Sequence, residues 1–429
     1  MRSVLSYPGT MPHAQQIALA LHEQGWLKTF VTSFHYSGQG WGDRLLRALP
    51  SDQATALRQK LLHRSIETIP HSLVQTYPAW EILRSVATKG GAGPVTVDRL
   101  WDLMSHRFDA AVASRHVTGA EAIHAFEYTA LASFQRAAHE GTRRILHLPS
   151  LSSRQFESIR QRELARWKQL DDANAAYFSD RFARRQARRD AEIGLADLIV
   201  TNSALTARSH IAGGADPAKI LVVPLGAPPV LDRSRPPRGS DTGPLRAVYA
   251  GNITLGKGVP YLLEAWRRLP VAAYARLDIY GQIGLPADLL APADDTIRFH
   301  GPRPRAELFQ AFEQADVLVF PSLADGFGMV VAEAMAHGLP VIVTDMTGAA
   351  DLVTPENGLV IPSADAEALT QALAWCLDNR QRLQAMRTGA LETACRHQWP
   401  AYRTALAGGL RQRLGGADHG CPAHEMERT

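Results

Sequence analysis

The sequence predicts an α/β protein built from two doubly wound parallel sheets, one in each half of the chain. Three observations predict it. Short apolar runs alternate with helix-period segments from the N-terminus onward. The alternation stops in a proline-rich stretch at 229–244 and then restarts. The chain has 429 residues and is 45% hydrophobic, which is too long for one ordinary domain and apolar enough for two cores.

Residues 3–7 read as a short apolar strand running into the turn Tyr7-Pro8-Gly9-Thr10. The helix after it carries Ile17, Leu19, Ala20 and Leu21 on its apolar side and stops at Gly25. Phe30-Val31-Thr32-Ser33-Phe34 is the next strand. Residues 43–107 are expected to be a helical insertion, broken at Pro50, Pro70, Pro78 and Gly90-Gly91. Strands are expected near 110–113, 122–126 and 144–148, with a helix at 130–139. Residues 153–193 are helical and arginine-rich, and 198–201 is a strand. Asn202-Ser203 caps the next helix, and 220–224 closes a first domain spanning 1–228.

The linker is placed at 229–244 and a second domain at 245–414. Its strands are 246–250, 276–280, 296–299, 317–320, 341–344 and 359–361, with helices between most of them. The final helix, after His397-Gln398-Trp399-Pro400, is expected to cross back onto the first domain. Residues 415–429 have no periodic pattern and are expected to be a disordered tail. Two such sheets place ligands in a cleft at the carboxyl ends of their strands.

A net charge of +4 with 21% charged residues does not call for nucleic acid as a partner. The N-terminus lacks the basic segment, apolar run and cleavage site of a leader, and no run of 18 apolar residues spans a membrane. Cys376, Cys395 and Cys421 form no C-x-x-C pair and no disulfide framework, so a reducing cytoplasm is the expected compartment. The histidines show no H-E-x-x-H or comparable spacing, and no metal site is expected.

Two segments carry the chemistry. In 317–340 a buried strand ends at Pro321-Ser322, and the turn Asp325-Gly326-Phe327-Gly328 leads into a helix stopped by Gly338. Amides at that helix start, with no Cβ at Gly326 or Gly328, can cradle a phosphate or sugar hydroxyls. Glu333 lies about one turn in and can face the same cavity. In 251–260 the loop Gly251-Asn252-Ile253-Thr254-Leu255-Gly256-Lys257-Gly258 follows a strand directly. It fits G-x-x-x-x-G-K only superficially, because Gly258 offers no hydroxyl to hold magnesium; a P-loop is rejected. Gly38-Gln39-Gly40-Trp41-Gly42 lacks the third glycine and the helix of a dinucleotide fingerprint.

Together these segments resemble the retaining glycosyltransferases of family 4 (glycosyl transferases group 1). Their signature is a pair of acids separated by seven residues, the first within P-S-x-x-E-G-F-G. The resemblance covers essentially the whole C-terminal half, including Ala315-Asp316-Val317 and Gly338-Leu339-Pro340-Val341-Ile342. It implies the GT-B architecture, two Rossmann-like domains facing a central cleft with the donor in the second. It also implies transfer of a sugar from a nucleoside-diphosphate sugar to an acceptor hydroxyl, with retention. No cofactor is implied, since the sugar nucleotide is a substrate.

Carried over by residue, the second acid, Glu333, binds the nucleotide ribose, and the first, Asp325, stands beside the donor sugar. Lys257 grips the diphosphate, and Gly251, Asn252, Ser322, Gly326, Phe327 and Gly328 line the donor. His147 matches a histidine that family members place near the donor sugar. This chain departs from the pattern twice. Asp325 replaces a glutamate and is shorter by about 1.5 Å. Asn252 stands where the clamp arginine is usual, with Arg303 and Arg305 as candidate replacements.

On the acceptor side, His13 follows a loop at a strand end, and Glu127 sits at another; each, like His147, is either a cleft residue or a structural one. Arginines dominate 154–189 among interspersed acids, as in a solvated, ion-paired helix pair or in a patch for anionic lipid. The second option suits a lipid-linked acceptor and peripheral membrane contact. The acceptor is expected to be a sugar or a lipid-linked sugar in polysaccharide, glycolipid or glycoconjugate synthesis. A non-catalytic sugar-nucleotide-binding or scaffold protein is the alternative, suggested by Asn252 and Asp325. A hydrolysing sugar-nucleotide epimerase on the same architecture is disfavoured by the signature.

Overall fold

The structure is a computed structural model that describes residues 1–9, 11–36, 65–170, 175–230, 243–269, 274–290 and 295–415. The Gly38–Gly42 stretch, most of the linker at 229–244, the first part of the insertion and nearly all of the 415–429 tail lie outside the described residues.

Among the described residues, seven strands form the first sheet. They are β1 (Ser3–Ser6), β2 (Leu27–Thr32), β3 (Val74–Thr76), β4 (Ala122–Phe126), β5 (Arg143–Leu148), β6 (Leu198–Thr201) and β7 (Ile220–Val222). Their order is β3-β2-β1-β4-β5-β6-β7, and β1 pairs in parallel with both β2 and β4. The second sheet holds β8 (Leu245–Ala250), β9 (Ala275–Tyr280), β10 (Ile297–Gly301), β11 (Val317–Phe320), β12 (Val341–Thr344) and β13 (Gly358–Ile361). Its order is β10-β9-β8-β11-β12-β13, all parallel. Strands such as Val317-Leu318-Val319-Phe320 and Val341-Ile342-Val343-Thr344 are buried throughout, as helices on both faces of a parallel sheet require.

In both sheets the strand order reverses beside the first strand, between β1 and β4 and between β8 and β11. Loops leaving the carboxyl ends of those strands diverge to opposite sides and leave a crevice. The loops after β8 and β11 are the two segments singled out in the sequence.

By chain contacts the molecule divides into two compact units: Met1–Leu146 with Leu195–Leu198 and Tyr402–Thr429, and His147–Gly194 with Ile199–Ala401. In the first unit, the described part of the last helix (Trp399–Gly415) buries Tyr402, Leu406 and Leu410. Arg403 meets Glu23 at 2.9 Å there, and Arg411 lies over Trp26 at 5.2 Å.

Two local expectations are corrected. The strand expected near 110–113 lies inside the helix Pro94–Arg115, where Met104, Phe108 and Val112 recur every four residues and are buried. Within the expected insertion, Val74–Thr76 is a short strand paired with β2, and the helix Ala79–Lys89 runs between Pro78 and Gly90. The arginine-rich segment is two helices, Ser153–Arg166 and Ala175–Leu195.

Candidate active site

The site is built on two loops of the second unit. The first leaves β8 through Gly251, whose amide donates to the carbonyl of Tyr280 at 3.0 Å. It reaches Lys257 and turns at Gly258 into the helix Val259–Arg268. Gly258 has φ +70, and a Cβ there would stand 1.8 Å from the carbonyl oxygen of Pro321. Only glycine lets the first loop close onto the second. Leu323 N–H then donates to Gly256 O at 3.0 Å, and the Ser322 hydroxyl donates to the same carbonyl at 3.3 Å.

The second loop leaves β11 and carries Asp325. Its backbone is held on both sides, by Asp325 N–H to Met346 O and by Gly348 N–H to Asp325 O, each at 2.9 Å. One carboxylate oxygen accepts the Phe327 amide at 3.1 Å, and the other meets Lys257 Nζ at 2.5 Å. Lys257 and Asp325, 68 positions apart, thus face each other across the switch point. The lysine also lies 5.5 Å from the centre of the Phe320 ring, a favourable cation–π distance. Both side chains stay partly open, at 29% and 20% exposure, so the pair can exchange partners with a ligand.

The phosphate cradle expected at the glycines is narrower than the sequence suggests. Gly326 is buried, and its absent Cβ makes room for the backbone of Pro149 and Ser150, 2.3 Å and 2.9 Å from where that atom would stand. Its carbonyl accepts the hydroxyls of Ser203, at 2.7 Å, and Thr206, at 3.0 Å. The Phe327 amide is taken by Asp325. The remaining donors are those that open the helix Met329–Ala336, which Gly328 caps.

Glu333, on that helix, is 5% exposed and pairs with Arg305, at the start of the helix Arg305–Gln314. Burial raises its carboxyl above the usual range, and Arg305 pulls against that shift. Of the two cations offered as clamp replacements, Arg305 stands beside Glu333. Arg303 instead donates to His300 O at 3.1 Å and pairs with Glu307 at 3.8 Å. Asn252 is exposed, and its backbone carbonyl takes the Tyr249 hydroxyl at 2.7 Å.

In the first unit, the end of β1, the start of the helix Pro12–Glu23 and the end of β4 bring Tyr7, His13 and Phe126 together, with ring centres 4.4–6.0 Å apart. His13 Nε2 is buried with no partner among the described residues, and burial lowers that imidazole to about 4, so it is neutral at pH 7. Glu127 follows directly and is half-buried. His147 is on β5, buried. Among the described residues no group of three His, Cys, Asp or Glu side chains is placed to hold a metal. No described helix is long and apolar enough to cross a membrane.

Sequence reasoning misses Ser203 and Thr206 as the residues that hold Gly326; the sequence marks Ser203 only as a helix cap, which it also is. It also missed Phe320 beneath Lys257. A hydroxyl 123 positions from its partner leaves no local pattern.

Comparison with known proteins places this site in context. A family model described as "Glycosyl transferases group 1" matches residues 244–379, which contain Lys257, Asp325 and Glu333. A D-inositol 3-phosphate glycosyltransferase of Catenulispora acidiphila is 28% identical over 257 residues, covering 52% of this chain and 61% of that protein. One from Nocardia farcinica is 31% identical over 230 residues, covering 48% and 51%. The chain thus spans between half and two thirds of the length of these curated relatives. Among solved structures, Anabaena HepE in complex with UDP aligns with TM-score 0.62 at 14% identity, covering 96% of this chain and all of that one. Sucrose-phosphate synthase of Thermosynechococcus elongatus aligns with TM-score 0.61 at 19% identity, covering 97% and 100%. These likenesses bear out the fold expected from the sequence: two Rossmann-like parallel sheets, as in GT-B glycosyltransferases.

Proposed function

We propose that the chain transfers a sugar from a nucleoside-diphosphate sugar to an acceptor hydroxyl, with retention at the anomeric carbon, as family 4 enzymes do. The observation that carries this reading is the Lys257–Asp325 pair at 2.5 Å, on loops that follow the two strands flanking the switch point. In such a reaction the bond from the anomeric carbon to the diphosphate oxygen breaks. Negative charge grows on the diphosphate and positive charge on the sugar ring. The Lys257 ammonium and the amides opening the Met329–Ala336 helix offset the first; Asp325 faces the second. Glu333 accepts hydrogen bonds from the ribose hydroxyls, with Arg305 beside it.

A leaving phosphate oxygen takes the acceptor proton, so this route uses no protein base and no metal. His147 belongs to the donor-sugar side, and His13 and Glu127 to the acceptor side. The acceptor is a sugar or a lipid-linked sugar.

A thermal-shift screen of UDP-, GDP- and ADP-sugars tests the reading, followed by a transfer or hydrolysis assay with the donor that stabilises. Ligand at 100 times its Kd stabilises by about 2.7 kcal/mol. No stabilisation by any sugar nucleotide would overturn the proposal. Binding without turnover would turn it into the non-catalytic alternative.

A further inference from the structure

The second unit holds a small polar cavity, about 160 Å³, that none of the roles above uses. Arg246, Arg276, Arg298, Asp278, Tyr280 and Gln314 are among the residues that line it. Strand register explains why they meet. Arg246 on β8 is the partner of Arg276 on β9, and Arg298 on β10 is the partner of Asp278. Residues two apart on a strand share a face, so the three arginines lie on one side of the sheet. Each is the second residue of its strand, whereas Lys257 lies beyond the carboxyl end of β8. The cavity is thus at the amino ends of the strands, away from the donor loops.

Neighbouring strands lie about 4.8 Å apart, so cations placed side by side on them repel. All three arginines are exposed, and none of their guanidinium groups has a hydrogen-bond or ion-pair partner among the described residues. The nearby acids are committed elsewhere. Asp278 pairs with His300 at 2.6 Å, and the His300 ring is stacked on Tyr280 at 4.5 Å. Asp316 accepts the Arg246 backbone amide at 2.8 Å and pairs with Arg380 at 3.0 Å. One acid, already engaged, faces three cations across the cavity, and its lining is net positive.

Size narrows the occupant. Small-molecule sites begin at roughly 300 Å³, so this cavity takes one group rather than a nucleotide or an oligosaccharide. A planar guanidinium matches the paired oxygens of a phosphate, and three of them can each take part of one tetrahedral anion. Gln314, the last residue of the helix Arg305–Gln314, adds an uncharged amide at the wall.

We propose that Arg246, Arg276 and Arg298 form a binding site for a phosphate group, separate from the donor site. The site stands whether or not the chain transfers a sugar.

Isothermal titration with inorganic phosphate, at constant ionic strength in chloride, tests it. Arg276→Gln with Arg298→Gln should weaken phosphate binding at least tenfold and leave UDP affinity within twofold of wild type. Those side chains hold nothing in the fold, so the double variant should melt no lower than wild type in phosphate-free buffer. Lys257→Ala should leave phosphate affinity within twofold. No phosphate binding by wild type, undiminished binding in the arginine variant, or its loss in Lys257→Ala instead would overturn the proposal. So would an arginine variant that melts well below wild type, since its arginines would then be spent within the fold. Tighter binding of hexaglutamate through the same arginines would also overturn it and make the surface a dock for an acidic peptide. Vesicles of phosphatidic acid in phosphatidylcholine separate two sources of the group. Vesicle binding that phosphate displaces and the arginine variant lacks assigns the phosphate to a lipid headgroup. Phosphate binding without vesicle binding assigns it to a free anion, and either result supports the site.

Discussion

On the proposed reading, Lys257 and Asp325 would compete with a donor as much as receive it. The ammonium sits 2.5 Å from the carboxylate, so a diphosphate must share or displace that partner. Lys257→Ala should lower turnover about a hundredfold, the usual cost of removing one electrostatic contact to a growing anion, near 3 kcal/mol. Asp325→Asn should lower transfer too, yet leave UDP affinity equal or tighter, because it removes a negative charge from beside the diphosphate. Turnover of Lys257→Ala within twofold of wild type, or weakened UDP binding in Asp325→Asn, would reassign the pair. Glu333 makes a prediction in pH. Its folded-state pKa is raised by burial above the ordinary value of 4.5, so between the two values the folded chain holds more protons than the unfolded one. Stability from this group is therefore intact below 4.5 and falls as pH rises through the raised value. Glu333→Gln should raise Tm relative to wild type more at pH 7 than at pH 4, while the donor Kd rises at least tenfold. Loss of charged hydrogen bonds to the ribose, at about 1.5–3 kcal/mol each, accounts for that rise. Melting curves across pH check the first half; a Tm difference that does not change with pH would refute it.

At the scale of elements, the β8 loop is held by shape. Gly258→Ala must place a side chain at φ +70 and 1.8 Å from Pro321 O. The backbone alone costs about 1–2 kcal/mol, and the clash adds to that. The variant should melt well below wild type and lose UDP affinity, as denaturation and titration would show. The same loop shows what a sequence can reveal. Val317-Leu318-Val319-Phe320 and its neighbours are legible because a strand buried on both faces is a continuous apolar run ended by a turn. Ala110–Ala113 misleads for the same reason: four small residues resemble a strand until Met104, Phe108 and Val112 are seen to share a helical face. Lys257, Asp325 and Glu333 are legible through their motif, whereas the Arg305–Glu333 pair and the hydroxyls on Gly326 join positions 28 and more than 100 apart and leave no spacing to find. The arginine-rich helices carry exposed ion pairs, Arg154–Asp190 at 2.5 Å and Arg184–Asp180 at 3.1 Å, which favours the solvated face. Co-sedimentation with anionic vesicles should accordingly be weak and lost with rising salt; salt-insensitive binding would count against that reading.

At the scale of the molecule, every residue assigned to the nucleotide, Lys257, Ser322, Asp325, Glu333 and Arg305, falls within the second compact unit. A chain of two units need not unfold in one step, and a ligand stabilises only the unit it binds. UDP, which lacks the sugar and acceptor, should therefore act locally. Hydrogen exchange read by mass spectrometry should show protection in peptides covering 251–258, 300–305 and 321–333, and none in those covering β1 and β2. At saturating UDP the slowing reports the binding free energy, about 2.7 kcal/mol at 100 times Kd, for amides that exchange only when the second unit opens. Glu333→Gln supplies the control, since at the same UDP concentration it should reduce protection in 321–333 while leaving exchange in the first unit as in wild type. Protection confined to the first unit, or spread evenly over both, would place the nucleotide elsewhere and remove the Lys257–Asp325 pair from the reaction.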